Sequence, residues 1–126
     1  MARLKIKLQL YCGDEIAMGP GKADLLDAIA ATGSISGAAR SLGMSYRRGW
    51  LLVDVMNRCF AAPLVDTQPG GGKGAGARLT EAGQAALASY RGLSARLESD
   101  VPCADFTLLE QAIRAQPLPP ASPSAG

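Results

Sequence analysis

The 126-residue sequence contains no histidine. The usual general base at neutral pH and the commonest imidazole metal ligand are therefore missing. Its three cysteines, Cys12, Cys59 and Cys103, are odd in number and far apart. That count argues against a disulfide framework and against a zinc site. The bland reading makes them small apolar filler and the sharp one a redox or metal sensor; nothing in the sequence shows the basic, exposed setting a reactive thiol needs. The carboxylates are scattered rather than paired, so no enzyme is expected. No apolar run reaches the length of a membrane span, and Met1-Ala2-Arg3-Leu4-Lys5 alternates instead of forming a signal-peptide core. A cytoplasmic protein with no membrane partner is the expectation. Net charge is only +2, too small to suggest nucleic acid by itself.

Nearly half the residues (48%) are hydrophobic, which fits one folded domain with a modest core. The charge is unevenly placed. From Arg40 to Arg78 six basic residues (Arg40, Arg47, Arg48, Arg58, Lys73, Arg78) face two acidic ones, Asp54 and Asp66. From Leu79 onward three basic residues face five acidic ones. One positive face is expected, of the kind that meets phosphate.

The run Gly33-Ser34-Ile35-Ser36-Gly37-Ala38-Ala39-Arg40-Ser41-Leu42-Gly43-Met44-Ser45-Tyr46-Arg47-Arg48-Gly49-Trp50 carries the strongest signal. It reads as a short helix, a tight turn and a second helix that opens on two arginines. That is the layout of a helix-turn-helix, whose second helix enters the DNA major groove. Ser36 is expected to cap the first of these helices and Ser45 the second. Ala38 and Ala39 let the helices approach, Leu42 anchors the first to the core, and Gly43 supplies the left-handed turn.

Around this run the pattern predicts further elements. Strict alternation from Arg3 to Leu10 predicts a half-buried strand. After Gly19-Pro20-Gly21, a helix is expected over roughly Lys22 to Ala31, ended by Gly33. The short helix spans about Ser36 to Leu42 and the recognition helix about Ser45 to Phe60. Leu52, Val53, Met56 and Phe60 form its inward arc above Gly49. Trp50 lies off that arc and has two readings, packing under the wing or touching DNA. Leu51 and Val55 suggest contact on a second side of the helix. Leu64 to Thr67 and Arg78-Leu79 predict a β-hairpin. Its glycine-rich loop with Lys73 is not a nucleotide loop, because Lys73 is followed by Gly74 and a strand rather than Ser/Thr and a helix. It reads as a wing whose backbone N–H groups can meet phosphate. Thr80 should cap a long fourth helix with Ala86, Tyr90, Leu93 and Leu97 in one stripe. A fifth helix follows over about Asp105 to Ala115, with Phe106, Leu109, Ala112 and Ile113 on one side.

Ser34-Ile35-Ser36-Gly37-Ala38-Ala39-Arg40 with Met44-Ser45-Tyr46-Arg47-Arg48-Gly49-Trp50 resembles the N-terminal domain of the ModE-type, molybdate-responsive transcription regulators. Gly19-Pro20-Gly21-Lys22, Met56-Asn57 and Leu79-Thr80-Glu81-Ala82-Gly83 agree with it, so the likeness covers roughly Leu4 to Leu97. The resemblance implies a LysR-like winged helix. It also implies C-terminal molybdate-binding modules, for which the stretch after Leu97 is too short. A regulator lacking those modules is therefore expected, with no cofactor of its own; molybdate or tungstate is implied by the resemblance alone.

The fold class expected is mainly α with a small β wing: a winged helix-turn-helix with an N-terminal strand and a long C-terminal dimerisation helix. Residues 1–99 make the DNA-binding domain, 100–115 a short helix and 116–126 a disordered, proline-rich tail. The expected function is a sequence-specific transcription regulator that binds double-stranded DNA as a homodimer on a near-palindromic operator, linked to molybdenum metabolism. The alternative is a protein-interaction or architectural DNA-binding module without its own effector site. Ser34, Ser36, Ser45, Tyr46, Arg47, Arg48, Trp50, Lys73 and Arg78 are the expected DNA-binding residues. Tyr90, Leu93, Leu97, Leu109 and Ile113 are expected to form the dimer contact. No metal ligands are expected.

Overall fold

Apolar side chains recur at helical spacing along most of the chain, and the chain folds as a winged helix-turn-helix. The computed structural model describes residues 2–68 and 76–121. A short hairpin comes first, β1 (Leu10–Cys12) and β2 (Glu15–Met18). Three helices follow, α1 (Pro20–Thr32), α2 (Ile35–Ser41) and α3 (Tyr46–Cys59). The wing strands are β3 (Val65–Gln68) and β4 (Gly76–Leu79), antiparallel with Asp66 opposite Arg78. Two helices close the chain, α4 (Glu81–Ser99) and α5 (Ala104–Ala112).

α1 is the centre of the core. It starts two residues earlier than the pattern suggested, because Pro20 at its first position gives up only an N–H that no helix start uses. Gly33 ends it at φ 78°, donating its N–H to the Ile29 carbonyl at 2.8 Å. Leu25, Leu26 and Ile29 are fully buried, each contributing about 1.5–3 kcal/mol of burial. They pack on Ala38, Val53, Met56, Leu64, Val65, Leu79 and Tyr90.

The helix-turn-helix forms where expected. Ala38 and Ala39 are buried between α2 and α3, and Gly43 takes φ 71° in the turn. The cap of α2 is Ser34 rather than Ser36, however: Ser34 Oγ accepts the Gly37 N–H at 2.9 Å. The helix starts at Ile35 because that side chain is buried, which places the cap one residue before it. Leu42 is corrected too. It is 39% exposed, since α2 ends at Ser41 and the chain has already turned away from the core.

The expected strand over Arg3–Leu10 is not formed. Residues 2–9 join no ladder, and only Leu10–Cys12 pairs with β2, a partner the alternation did not reveal. β2 is too short to hold more, and the register shifts between Leu10 and Tyr11. Leu4 and Ile6 are exposed, while Leu8 packs against the core. The segment is held by a side chain instead: the Tyr90 hydroxyl donates to the Leu8 carbonyl at 2.8 Å. Tyr90, expected at a dimer contact, is therefore corrected; it is buried in its own chain.

Thr80 caps α4 as expected, accepting the Gly83 N–H at 3.0 Å. Arg91 on α4 bonds Asp24 and Asp27 of α1 at 3.0 and 2.6 Å. α5 ends at Ala112, so Ile113 lies just outside it. Leu93, Leu97, Leu109 and Ile113 are all exposed. Residues 113–121 join no helix or strand.

Replacing Tyr90 by Phe removes one part-buried hydrogen bond and keeps the ring. Stability should fall by about 0.5–1.5 kcal/mol in urea unfolding, and amide exchange should quicken along residues 2–9. Unaltered exchange there would show that the hydroxyl does not hold the segment.

Candidate nucleic-acid interface

The recognition helix α3 is placed by its ends. At the start, Ser45 Oγ accepts the Arg48 N–H at 3.1 Å, which leaves Tyr46, Arg47 and Arg48 in the first turn, all exposed. In its second half, Asn57 fastens the helix to the wing. Its Oδ1 accepts the N–H groups of Leu64 and Val65 at 2.8 and 3.1 Å, and its Nδ2 donates to the Val65 carbonyl at 3.0 Å. Val53 and Met56 lie inward between these points, with Gly49 packed on Ala39 and Ile35.

The wing is tied down a second time. The Ala77 N–H donates to the Gly33 carbonyl at 2.8 Å, where α1 turns into α2. Gly76 sits beside it at φ 130°, and a Cβ there would collide with the Gly33 oxygen. β4 can approach this turn so closely only because the position is glycine.

These ties enclose a groove of ≈ 490 Å³ between the start of α2, the outer side of α3 and the wing root. Ser34, Ser36, Tyr46, Trp50, Thr67 and Gln68 line it. Tyr46 and Trp50 stand one turn apart on α3, 57% and 48% exposed. The Ser34 and Ser36 hydroxyls lie 3.5 Å from each other at the far rim. A polar rim with aromatic walls suits a sugar-phosphate strand: hydroxyls meet phosphate oxygens and the rings meet deoxyribose.

The arginines divide by partner. Arg58 is held by Asp54 at 2.9 Å, with Glu15 at 3.8 Å, and Arg91 by two aspartates. The Asp54 hydrogen bond raises the Arg58 guanidinium above its ordinary range. Arg78 pairs across the wing with Asp66 at 3.6 Å and borders the neighbouring groove beside Leu79, Gln84 and Leu87. Among the described residues no carboxylate lies within 4.0 Å of Arg40, Arg47 or Arg48. The helix-turn-helix thus carries three arginines with no carboxylate partner among the described residues.

Of the residues expected from sequence, the structure brings Ser34, Ser36, Tyr46 and Trp50 to one groove. Ser45, Arg47 and Arg48 stand at the helix start beside it. Arg78 borders the neighbouring groove, and Lys73 falls outside the described residues. Thr67 and Gln68 were missed; the two polar residues closing the strand before the glycine run were the available signal. Asn57 was missed as a clasp, since nothing local in sequence marks a side chain that bonds backbone seven and eight positions on.

A family model described as bacterial regulatory helix-turn-helix protein, lysR family, matches residues 22–84. The chain is 48% identical over 73 residues to molybdenum-pterin-binding protein MopA of Rhodobacter capsulatus, covering 58% of this chain and 28% of that protein. It is 49% identical over 78 residues to MopB of the same organism, covering 62% and 29%. It is 36% identical over 86 residues to the DNA-binding transcriptional dual regulator ModE of Escherichia coli (strain K12), covering 68% and 33%. The chain thus matches about a third or less of the length of each of these relatives.

Asn57→Ala should lower stability by about 1–3 kcal/mol, because it strands two N–H groups and a carbonyl. The melting temperature should drop by roughly 4–8 °C per kcal/mol. A variant that melts with the parent protein would show that the wing is held without this clasp.

Proposed function

The chain belongs to the lysR family of bacterial regulatory helix-turn-helix proteins, and from that premise we propose that it is a cytoplasmic, sequence-specific transcription regulator that binds double-stranded DNA as a homodimer. The family is one of regulators rather than enzymes. The observation that carries the reading is the first turn of α3, where Arg47 and Arg48 stand exposed and without carboxylate partners beside the wing-root groove. Arg47, Arg48 and Tyr46 enter the major groove and contact base edges. Ser34, Ser36 and Ser45 hold the phosphates flanking that groove, and Trp50 packs on deoxyribose. Lys73 and Arg78 add charge from the wing. The regulated process belongs to molybdenum metabolism, a reading supported by the likeness to a molybdenum-pterin-binding protein. No step is assigned to molybdate itself.

Leu93, Leu97, Leu109 and Ile113 give the homodimer its contact, an apolar set left exposed on and just after α4 and α5. Two-fold pairing sets the recognition helices one helical turn of DNA apart, or a multiple of it, and so demands a near-palindrome.

Selection from random duplexes tests the reading. A near-palindromic motif should emerge, and binding to it should weaken steeply with salt. Arg47→Ala should weaken it by about 1–3 kcal/mol, roughly 5- to 150-fold, while Arg91→Ala, on the opposite side of α1, should bind as the parent does. Recovery of no motif, or equal losses from the two variants, would refute the assignment. For the dimer, Leu97→Glu should shift the sedimentation of the protein to that of a monomer; a dimer that survives the charge would place the contact elsewhere.

A further inference from the structure

Two thiols far apart in sequence are brought to the same end of α3 by the fold, and the proposed DNA contact uses neither. Cys12 ends β1 and stands opposite Glu15 in the hairpin. Glu15 reaches α3, with Oε1 3.8 Å from Arg58 Nη2. Arg58 is the neighbour of Cys59, the last residue of α3, along which β2 packs. The hairpin therefore brings Cys12 to the Cys59 end of α3, near enough that Cys12 helps to raise the Cys59 thiol. Both are free thiols; Cys12 is exposed and Cys59 partly buried. The spacing argument against a disulfide framework missed this pair because only the hairpin fold brings position 12 to the end of α3.

We propose that Cys12 and Cys59 are a reversible oxidation site, forming an intramolecular disulfide in the presence of a peroxide, with Cys12 as the attacking and Cys59 as the resolving thiol. Exposure gives Cys12 access to the oxidant. Burial and the adjoining Cys12 push the Cys59 thiol up, Glu15 adds to this and Arg58 opposes it, so Cys59 stays protonated and is the weaker first nucleophile. The Cys12 thiolate attacks one peroxide oxygen, the O–O bond breaks, and hydroxide leaves to become water. Cys12 is then a sulfenic acid. The Cys59 sulfur loses its proton, attacks the Cys12 sulfur and expels hydroxide as a second water. Two thiols are oxidised by two electrons, and hydrogen peroxide is reduced to two waters. A thiol reductant reverses the bond by exchange.

The bridge fastens the hairpin to the end of the recognition helix and encloses α1 and α2 within one covalent loop. Such a loop restricts the unfolded chain and stabilises the fold. Arg47 and Arg48 lie at the other end of α3, about 16 Å away at 1.5 Å per residue, so the basic turn keeps its place. In a reducing interior a bond of this kind is transient and reports oxidation.

The full chain, reduced and then given one equivalent of hydrogen peroxide, tests this by intact mass and non-reducing peptide mapping. The expected product is a single, covalently unlinked chain lighter by two hydrogens, with Cys12 joined to Cys59 and Cys103 still open to alkylation. Its melting temperature should rise by on the order of 10 °C and return on reduction. Cys103→Ser should keep the bond; Cys12→Ser, at an exposed position that leaves the fold intact, and Cys59→Ser should each lose it. Cys12 driven to sulfinic acid, or joined to Cys103 or to a second chain while Cys59 remains open to alkylation, would overturn the proposal.

Discussion

The hydrogen bond from the Ala77 N–H to the Gly33 carbonyl is the joint on which the proposed DNA-facing side depends. Gly33 ends α1 and starts the turn into α2, so its carbonyl has no partner within either helix. β4 supplies that partner. One 2.8 Å bond therefore satisfies the end of α1 and fixes the wing against the helix-turn-helix. It also excludes any side chain at Gly76. Asn57 holds β3 from the other side, through backbone groups that the first wing strand would otherwise leave open. With both wing strands tied, the position of Trp50 and Tyr46 relative to Thr67 and Gln68 is set by backbone hydrogen bonds rather than by soft apolar contact.

The apolar core and the polar face are separate consequences of one pattern. α1 buries Leu25, Leu26 and Ile29 completely, α2 and α3 pack on it through Ile35, Ala38, Val53 and Met56, and Gly49 lets α3 come close to Ala39 and Ile35 of α2. This packing leaves the outer sides of both helices free to carry charge. The acidic residues that are present neutralise other arginines: Asp54 and Glu15 take Arg58, Asp24 and Asp27 take Arg91. Exposed pairs of this kind add little stability. Their larger effect is to leave Arg40, Arg47 and Arg48 as the helix-turn-helix arginines without a carboxylate partner among the described residues, so that a net charge of only +2 still presents a basic face there.

Much of this was legible in the sequence, for local reasons. Gly43, Ser45 and Thr80 are read correctly because a cap or a left-handed turn depends on one residue and its near neighbours. The wing strands are readable for the same reason. What failed was non-local. Alternation from Arg3 to Leu10 is real, but a strand needs a partner, and β2 reaches only to Leu10. Tyr90 fits a helical stripe, yet its hydroxyl closes onto Leu8, 82 positions away, and takes it out of any partner contact. Ser34 displaced Ser36 as the cap because burial of Ile35 decides where α2 starts. Arg78 pairs with Asp66 across the wing and borders the groove of Leu79, Gln84 and Leu87 rather than that of Trp50, which no local pattern in the sequence marks.

The central claim is that DNA meets the starts of α2 and α3 and the wing root, and not α4 or α5. Amide chemical-shift mapping on a selected duplex tests it most directly. The account predicts shifts concentrated at Ser34 to Gly37, Ser45 to Trp50, Thr67, Gln68 and Gly76 to Arg78, with Asp24, Asp27 and Arg91 unmoved. Shifts centred on α4 and α5, with the first turn of α3 silent, would contradict it.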